Sequence, residues 1–176
     1  MVGRNISKRV ALYGVMAALT VALSMLEGIF DIPIAVPGAK VGLSNVVVVA
    51  AATVSGFGGA IYITAIKSLF VLVTRGATAF ILSLSGGLLS SLATVLILKY
   101  LKRYFSLIGI SIVGAFMHNL GQLIAATVII KTRALIWYLP VLSLLALFFG
   151  TVVGIILKGT EPYIKKLSSE RKVDKT

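Results

Sequence analysis

An all-α membrane protein, a bundle of six transmembrane helices, is what this sequence predicts, and three observations predict it. Of 176 residues, 59% are hydrophobic and only 12% are charged, whereas a soluble domain carries charge on roughly a quarter of its residues. Mean hydropathy is +1.06. Apolar runs recur whose lengths reach or approach the ~20 residues that cross a bilayer core. Basic residues collect between those runs rather than within them. We place the six hydrophobic segments at about 10–26, 42–56, 59–75, 77–98, 107–130 and 134–157. They form one transmembrane domain, 1–160, followed by a basic tail, 161–176.

The first segment follows Arg4, Lys8 and Arg9, which resemble the charged start of a signal peptide. The span after them is long and shows no clear small-residue cleavage site, so it reads as a retained helix. Gly14, Ala18 and Ala22 recur in it at four-residue spacing. Such a seam lets a second helix approach closely, because packing drives association in lipid. The second and third segments are short and are separated by "SGFGG". Two full spans joined by a tight turn are expected; the alternative is a re-entrant hairpin, tolerated only where protein buries its backbone. The fourth segment carries Ser83, Gly87, Ser90 and Thr94 on one stripe, beside Gly86 and Ser91, and the fifth carries Gly114 and Gly121. The segment "KYLKRYF", 99–105, is a short connection whose Tyr100, Tyr104 and Phe105 suit a membrane interface.

Charge orients the bundle. With six spans, one side holds Arg4, Lys8, Arg9, Lys99, Lys102, Arg103, Lys158 and the tail lysines and arginine, twelve basic residues in all. The other side holds four: Lys40, Arg75, Lys131 and Arg133. This asymmetry puts both termini in the cytoplasm and the protein in the cell membrane as a multi-pass chain. It also accounts for the net charge of +12 without nucleic acid as a partner. The tail reads as solvated and partly disordered. Cysteine is absent, which excludes disulfides and thiolate chemistry.

Polar groups within the apolar runs mark the candidate site. Lys67 lies midway along its segment and shares a helical face with Thr64, Val71 and Thr74, with Arg75 ending the stripe. An ionisable group at that depth faces a cavity or a partner. His118 and Gln122 are four residues apart on one face, continued by Ser111 and Gly114, with Asn119 aside. One histidine with no nearby carboxylate is not a metal site, and no cofactor is implied. The stretch "AVPGAKVGLSN", 35–45, forms the loop between the first two segments. Pro33 and Pro37 stiffen it, and Ser44 or Asn45 can cap the following helix. That helix N-terminus with Lys40 beside it favours an anion, while Glu27 and Asp31 offer Lys40 a counter-charge. The loop reads as a partial lid over an outward-facing pocket. The candidate substrate-binding residues are thus Lys40, Ser44, Asn45, Thr64, Lys67, Arg75, His118, Asn119 and Gln122.

The stretches "PGAKVGLSN", "LSLSGGLLSSL" and "FSLIGISIVGAFMHNLGQLIAA", with the six-span layout, resemble the bacterial Gx transporter family, also known as heptaprenyl diphosphate synthase component I. The likeness covers about residues 10–157. The family is distantly similar to the S components of energy-coupling-factor vitamin transporters. This resemblance implies a six-helix protein with an outward-facing pocket that docks on a transmembrane coupling subunit through small residues of its first helix, here Gly14, Ala18 and Ala22. The S-component seam normally has alanines, and position 14 departs from it. The component I name implies instead a non-catalytic membrane subunit of a separate polyprenyl synthase, serving menaquinone side-chain synthesis. A third implication is a membrane component of flavin- or quinone-linked electron transfer, although no motif here binds a redox cofactor.

Prenyl chain elongation needs aspartate-rich motifs, and this chain has two isolated aspartates, Asp31 and Asp174. No GxxxxGK[ST] loop is present, so the chain has no ATPase of its own. The expected function is a substrate-binding, transport-type membrane component for a small polar or anionic molecule. A vitamin, a prenyl diphosphate and a quinone precursor are the candidates.

Overall fold

A computed structural model describes residues 2–29 and 42–173. Five helices carry the chain: α1 (Val2–Ile29), α2 (Asn45–Arg75), α3 (Ala77–Leu96), α4 (Leu107–Ile130) and α5 (Leu139–Val173). A short π-helical turn, Ile97–Leu101, extends α3, and a 3-10 turn, Arg133–Tyr138, leads into α5. No strand occurs among the described residues. All five helices are long and apolar enough to cross a membrane. Large apolar side chains point outward along them, among them Val15, Val73, Val128, Leu144 and Phe148. In water such a surface would drive aggregation; in a bilayer it is the lipid-facing coat.

The expected count of six spans is not reached. The segments placed at 42–56 and 59–75 form one element, α2, broken at Gly56, whose φ of 66° and ψ of −152° are not helical. The break reverses the chain. On a straight helix, Asn45 and Lys67, 22 residues apart, would lie about 33 Å apart. Instead the Lys67 Nζ donates to Asn45 Oδ1 at 3.3 Å. A Cβ placed on Gly59 would lie 3.0 Å from the carbonyl oxygen of Ala51. Both contacts require that α2 fold back on itself as a hairpin with Gly56 at its tip. The first arm, residues 45–55, is about 16 Å long, too short to cross a core of about 30 Å alone. Its residues are nonetheless the most completely buried run among the described residues, Val47, Val48, Val49 and Ala51 included. Continuous Val and Ala without charge are what the centre of a bundle in lipid requires, since this arm meets neighbours on every side.

Around that arm stand α1, α4, α5 and the second arm of α2, joined in one apolar cluster through Met16, Val46, Ile63, Ile110 and Leu157. A second cluster, Leu82, Leu123, Ala126, Leu135 and Leu142, closes the other end between α3, α4 and α5. Helices α3 and α4 cross most closely at Gly86 and Gly121. A Cβ on Gly121 would sit 2.8 Å from the Gly86 Cα and from the Ser85 carbonyl oxygen. Glycine at this point sets the separation of the two helices. Gly150 and Gly154 of α5 do the same against Ile112 and Ile108 of α4.

Helix α5 runs without interruption past residue 160 to Val173, with Pro162 inside it. The expected small-residue seam of α1 faces outward: Gly14, Ala18 and Ala22 are exposed, and nothing lies within 4 Å of a Cβ built on Gly14.

Candidate functional site

The polar residues of the sequence converge on the middle of the bundle in two linked groups. The first joins the end of α1 to the hairpin. Glu27 is 2% exposed, and its Oε1 accepts from the backbone N–H of Ser44 at 2.6 Å and from the Ser44 hydroxyl at 2.8 Å. The next residue, Asn45, accepts from Lys67, which is also 2% exposed. A carboxylate, a hydroxyl, an amide and an ammonium thus run from α1 through the start of α2 to its second arm. Each carries its charge or dipole into a low-dielectric interior, where partners are obligatory.

Ser44 does occupy the N-cap position of α2, but its side chain makes no capping bond; its hydroxyl is turned to Glu27. The anion that the sequence places at this helix N-terminus is therefore the chain's own. Glu27 accepts the Ser44 N–H and stands at the positive end of the α2 dipole, while the N–H groups of Asn45, Val46 and Val47 bond to the carbonyls of Gly42, Leu43 and Ser44. Glu27 also attracts Lys67 electrostatically, without a direct ion pair between them. Sequence reasoning assigned Glu27 to a loop lysine and missed this role. The signal was a carboxylate two residues before the end of an apolar helix, where charge is costly without a partner.

The second group lies between the second arm of α2, α3 and α4. The Thr64 and Ser91 hydroxyls share a hydrogen bond of 3.0 Å, and Ser68 donates to Ser83 at 3.4 Å. On α4, Ser111, Gly114, His118 and Gln122 are all buried, as the four-residue spacing requires. His118 and Gln122 pack against Gly86, where a Cβ would meet the His118 Nδ1 and the Gln122 Cγ. Asn119 is set apart from them: its Nδ2 donates to the Leu142 carbonyl at 3.0 Å and ties α4 to the start of α5. The buried atoms Ser90 Oγ, Thr94 Oγ1 and Gln122 Oε1 have no hydrogen-bond partner among the described residues.

The structure brings Ser44, Asn45, Thr64, Lys67, His118, Asn119 and Gln122 into the interior, all of them buried. Arg75 is half-buried at the end of α2, beyond Thr74, which is exposed. Lys40 and the proposed lid, residues 30–41, lie outside the described residues. The described clefts open elsewhere. One of about 320 Å³ lies at the end of the bundle marked by Lys102 and Lys158. Two apolar ones lie along α4 and α5 and beside α1.

The family model described as heptaprenyl diphosphate synthase component I matches residues 16–160. The chain belongs to this family. The match takes in both buried polar groups, from Glu27 to Gln122, and reaches the part of α5 that packs on α1. Comparisons with curated proteins and with solved structures gave no match.

Proposed function

We propose that this component I family member is a non-catalytic membrane protein that binds a small polar or anionic molecule inside its helix bundle, as a transport-type component does. The observation that carries this reading is the set of buried polar atoms at the α3–α4 seam. Ser90, Thr94 and Gln122 each present an atom without a partner among the described residues, beside a chain of buried charge ending in Lys67. An unsatisfied buried polar group costs about 1–3 kcal/mol. Three of them in one seam are what a bound polar ligand would relieve. Because Lys67 already donates to Asn45, the ligand's own hydrogen-bonding groups count for as much as its charge. A prenyl diphosphate or a quinone precursor fits both the polar seam and the family's description.

The test is native mass spectrometry of the full chain released from lipid nanodiscs. A co-purifying small molecule is expected with the wild type. It should be lost from the charge-balanced pair Glu27→Gln with Lys67→Met and from Gln122→Leu. The absence of any bound molecule, or equal retention by these variants, would overturn the reading. Docking on a coupling subunit, in the manner of S components, would use the outward seam of α1. Ala18→Trp should then leave the protein folded but abolish co-purification of a membrane partner.

The family match favours a second reading, in which the chain is the membrane subunit that anchors a separate polyprenyl synthase. A soluble enzyme can reach only the ends of the bundle, and Lys99, Lys102 and Arg103 form a basic, exposed stretch at one of them. Removing those three charges should then release the synthase and lower its activity, while the interior variants leave both intact.

A further inference from the structure

The cleft at the Lys102 end is not part of the polar interior, and its lining has a chemistry of its own. It lies where the π-helical turn after α3, the start of α4 and the last membrane turns of α5 meet. Its floor is apolar: Leu98, Leu107, Ile110 and Leu157, the last two almost wholly buried. Its rim is polar, with Lys102 and Lys158 exposed on it and the Ser106 hydroxyl at the N-cap of α4. Glu161 also stands on the rim, so the rim keeps a net positive charge of one from these three side chains. Ser106 accepts from Gly109, and the backbone of Ile110 bonds to the Ser106 carbonyl. The N–H groups of Leu107 and Ile108 are the first of the helix and point to the same end.

A greasy floor below a cationic rim, at the depth where Tyr100 and Tyr104 are exposed, matches one kind of molecule. We propose that this cleft binds a single-chain amphiphile with a phosphate-bearing head. The chain lies on Leu98, Ile110 and Leu157, and the head meets Lys102, Lys158 and the start of α4. A cleft of about 320 Å³ takes one chain rather than the two of a bilayer phospholipid. Two lysines beside a helix N-terminus hold a phosphate by charge-assisted hydrogen bonds. The proposal stands apart from the interior site, and a different set of residues carries it.

The experiment uses the full chain in nanodiscs of zwitterionic phosphatidylcholine and measures binding of two probes by thermophoresis. Lysophosphatidic acid represents a lipid source of the head group, and geranylgeranyl diphosphate an isoprenoid source. Saturable binding of at least one probe is expected, weakened roughly tenfold or more by Lys102→Met with Lys158→Met, as for loss of contacts to a charged group. Inorganic phosphate and geranylgeraniol should each bind far more weakly than the complete amphiphile. Lys131→Met with Arg133→Met, which removes the same charge elsewhere, should leave affinity unchanged. The relative affinities of the two probes name the source. The proposal fails if neither probe binds, if the Lys102 and Lys158 variant binds as the wild type does, or if added phosphatidylglycerol displaces both probes at equal concentration.

Discussion

At the scale of single residues, the energetics turn on Glu27 and Lys67. Each lies at 2% exposure, and Ser44 and Asn45 connect them by hydrogen bonds. No direct ion pair joins them, so removing one charge costs about 1–3 kcal/mol for the buried hydrogen-bond partner it strands, plus the loss of the attraction between the two charges. Glu27→Gln and Lys67→Met should therefore each lower resistance to thermal or detergent unfolding. The double variant should lose less than the sum of the two, with a coupling of about 1 kcal/mol or more. Additive losses would mean that the two charges do not act on one another. Lys67 was legible in the sequence because an ionisable group amid an apolar run has few bland explanations. Glu27 was not, because its partner is Ser44, 17 residues away. The intervening acidic and basic residues, Asp31 and Lys40, offered a nearer pairing.

At the scale of elements, α3 and α4 fell within a few residues of their expected bounds, since each is a single uninterrupted run with polar residues on one stripe. The hairpin of α2 was harder. The sequence "SGFGG" announces a break, but not which glycine makes it or how short the first arm becomes. Gly56 is the one in a conformation open to little but glycine. Gly58, two residues on, is in the helix, and neither position has an atom within 4 Å of a built Cβ. Steric space is thus equal and only the backbone differs. Gly56→Ala should destabilise the protein by about 1–3 kcal/mol, while Gly58→Ala should be neutral or stabilise it by about 0.5–1 kcal/mol. Equal effects in an unfolding assay would count against the hairpin tip at Gly56. The α3–α4 crossing gives a parallel comparison. Gly121→Ala pushes a methyl group into the backbone of Ser85 and Gly86 and should cost about 1–3 kcal/mol by overpacking. Gly14→Ala, on the open face of α1, should cost nothing measurable.

At the scale of the whole molecule, the hairpin decides how the chain threads the membrane. Because α2 reverses at Gly56, the chain runs along α1, back along the first arm, and forward again along the second. It returns through α3, goes forward through α4 and returns through α5. Thr53, near the hairpin tip, lines the same cleft as Lys102 and Lys158, so tip, α3–α4 connection and the later part of α5 share one end. Met16 of α1 lies in one groove with Thr160 and Ile164, which brings the start of the chain to that end as well. The opposite end carries the exposed Lys131, Arg133 and Trp137. Basic residues are more numerous at the first end, and we propose that it faces the cytoplasm. The short first arm does not alter this, since it changes how much membrane is crossed and not the direction of travel. The chain has no cysteine, so a single introduced thiol reports its own side. With a membrane-impermeant maleimide, Thr132→Cys should label in intact cells. Gly58→Cys, exposed beside the tip, should label only once the membrane is opened. A thiol added after Thr176 should behave as Gly58→Cys does. Labelling of Gly58→Cys and the C-terminal thiol on opposite sides would break the threading order. Labelling of both from outside would keep the fold and invert it in the membrane.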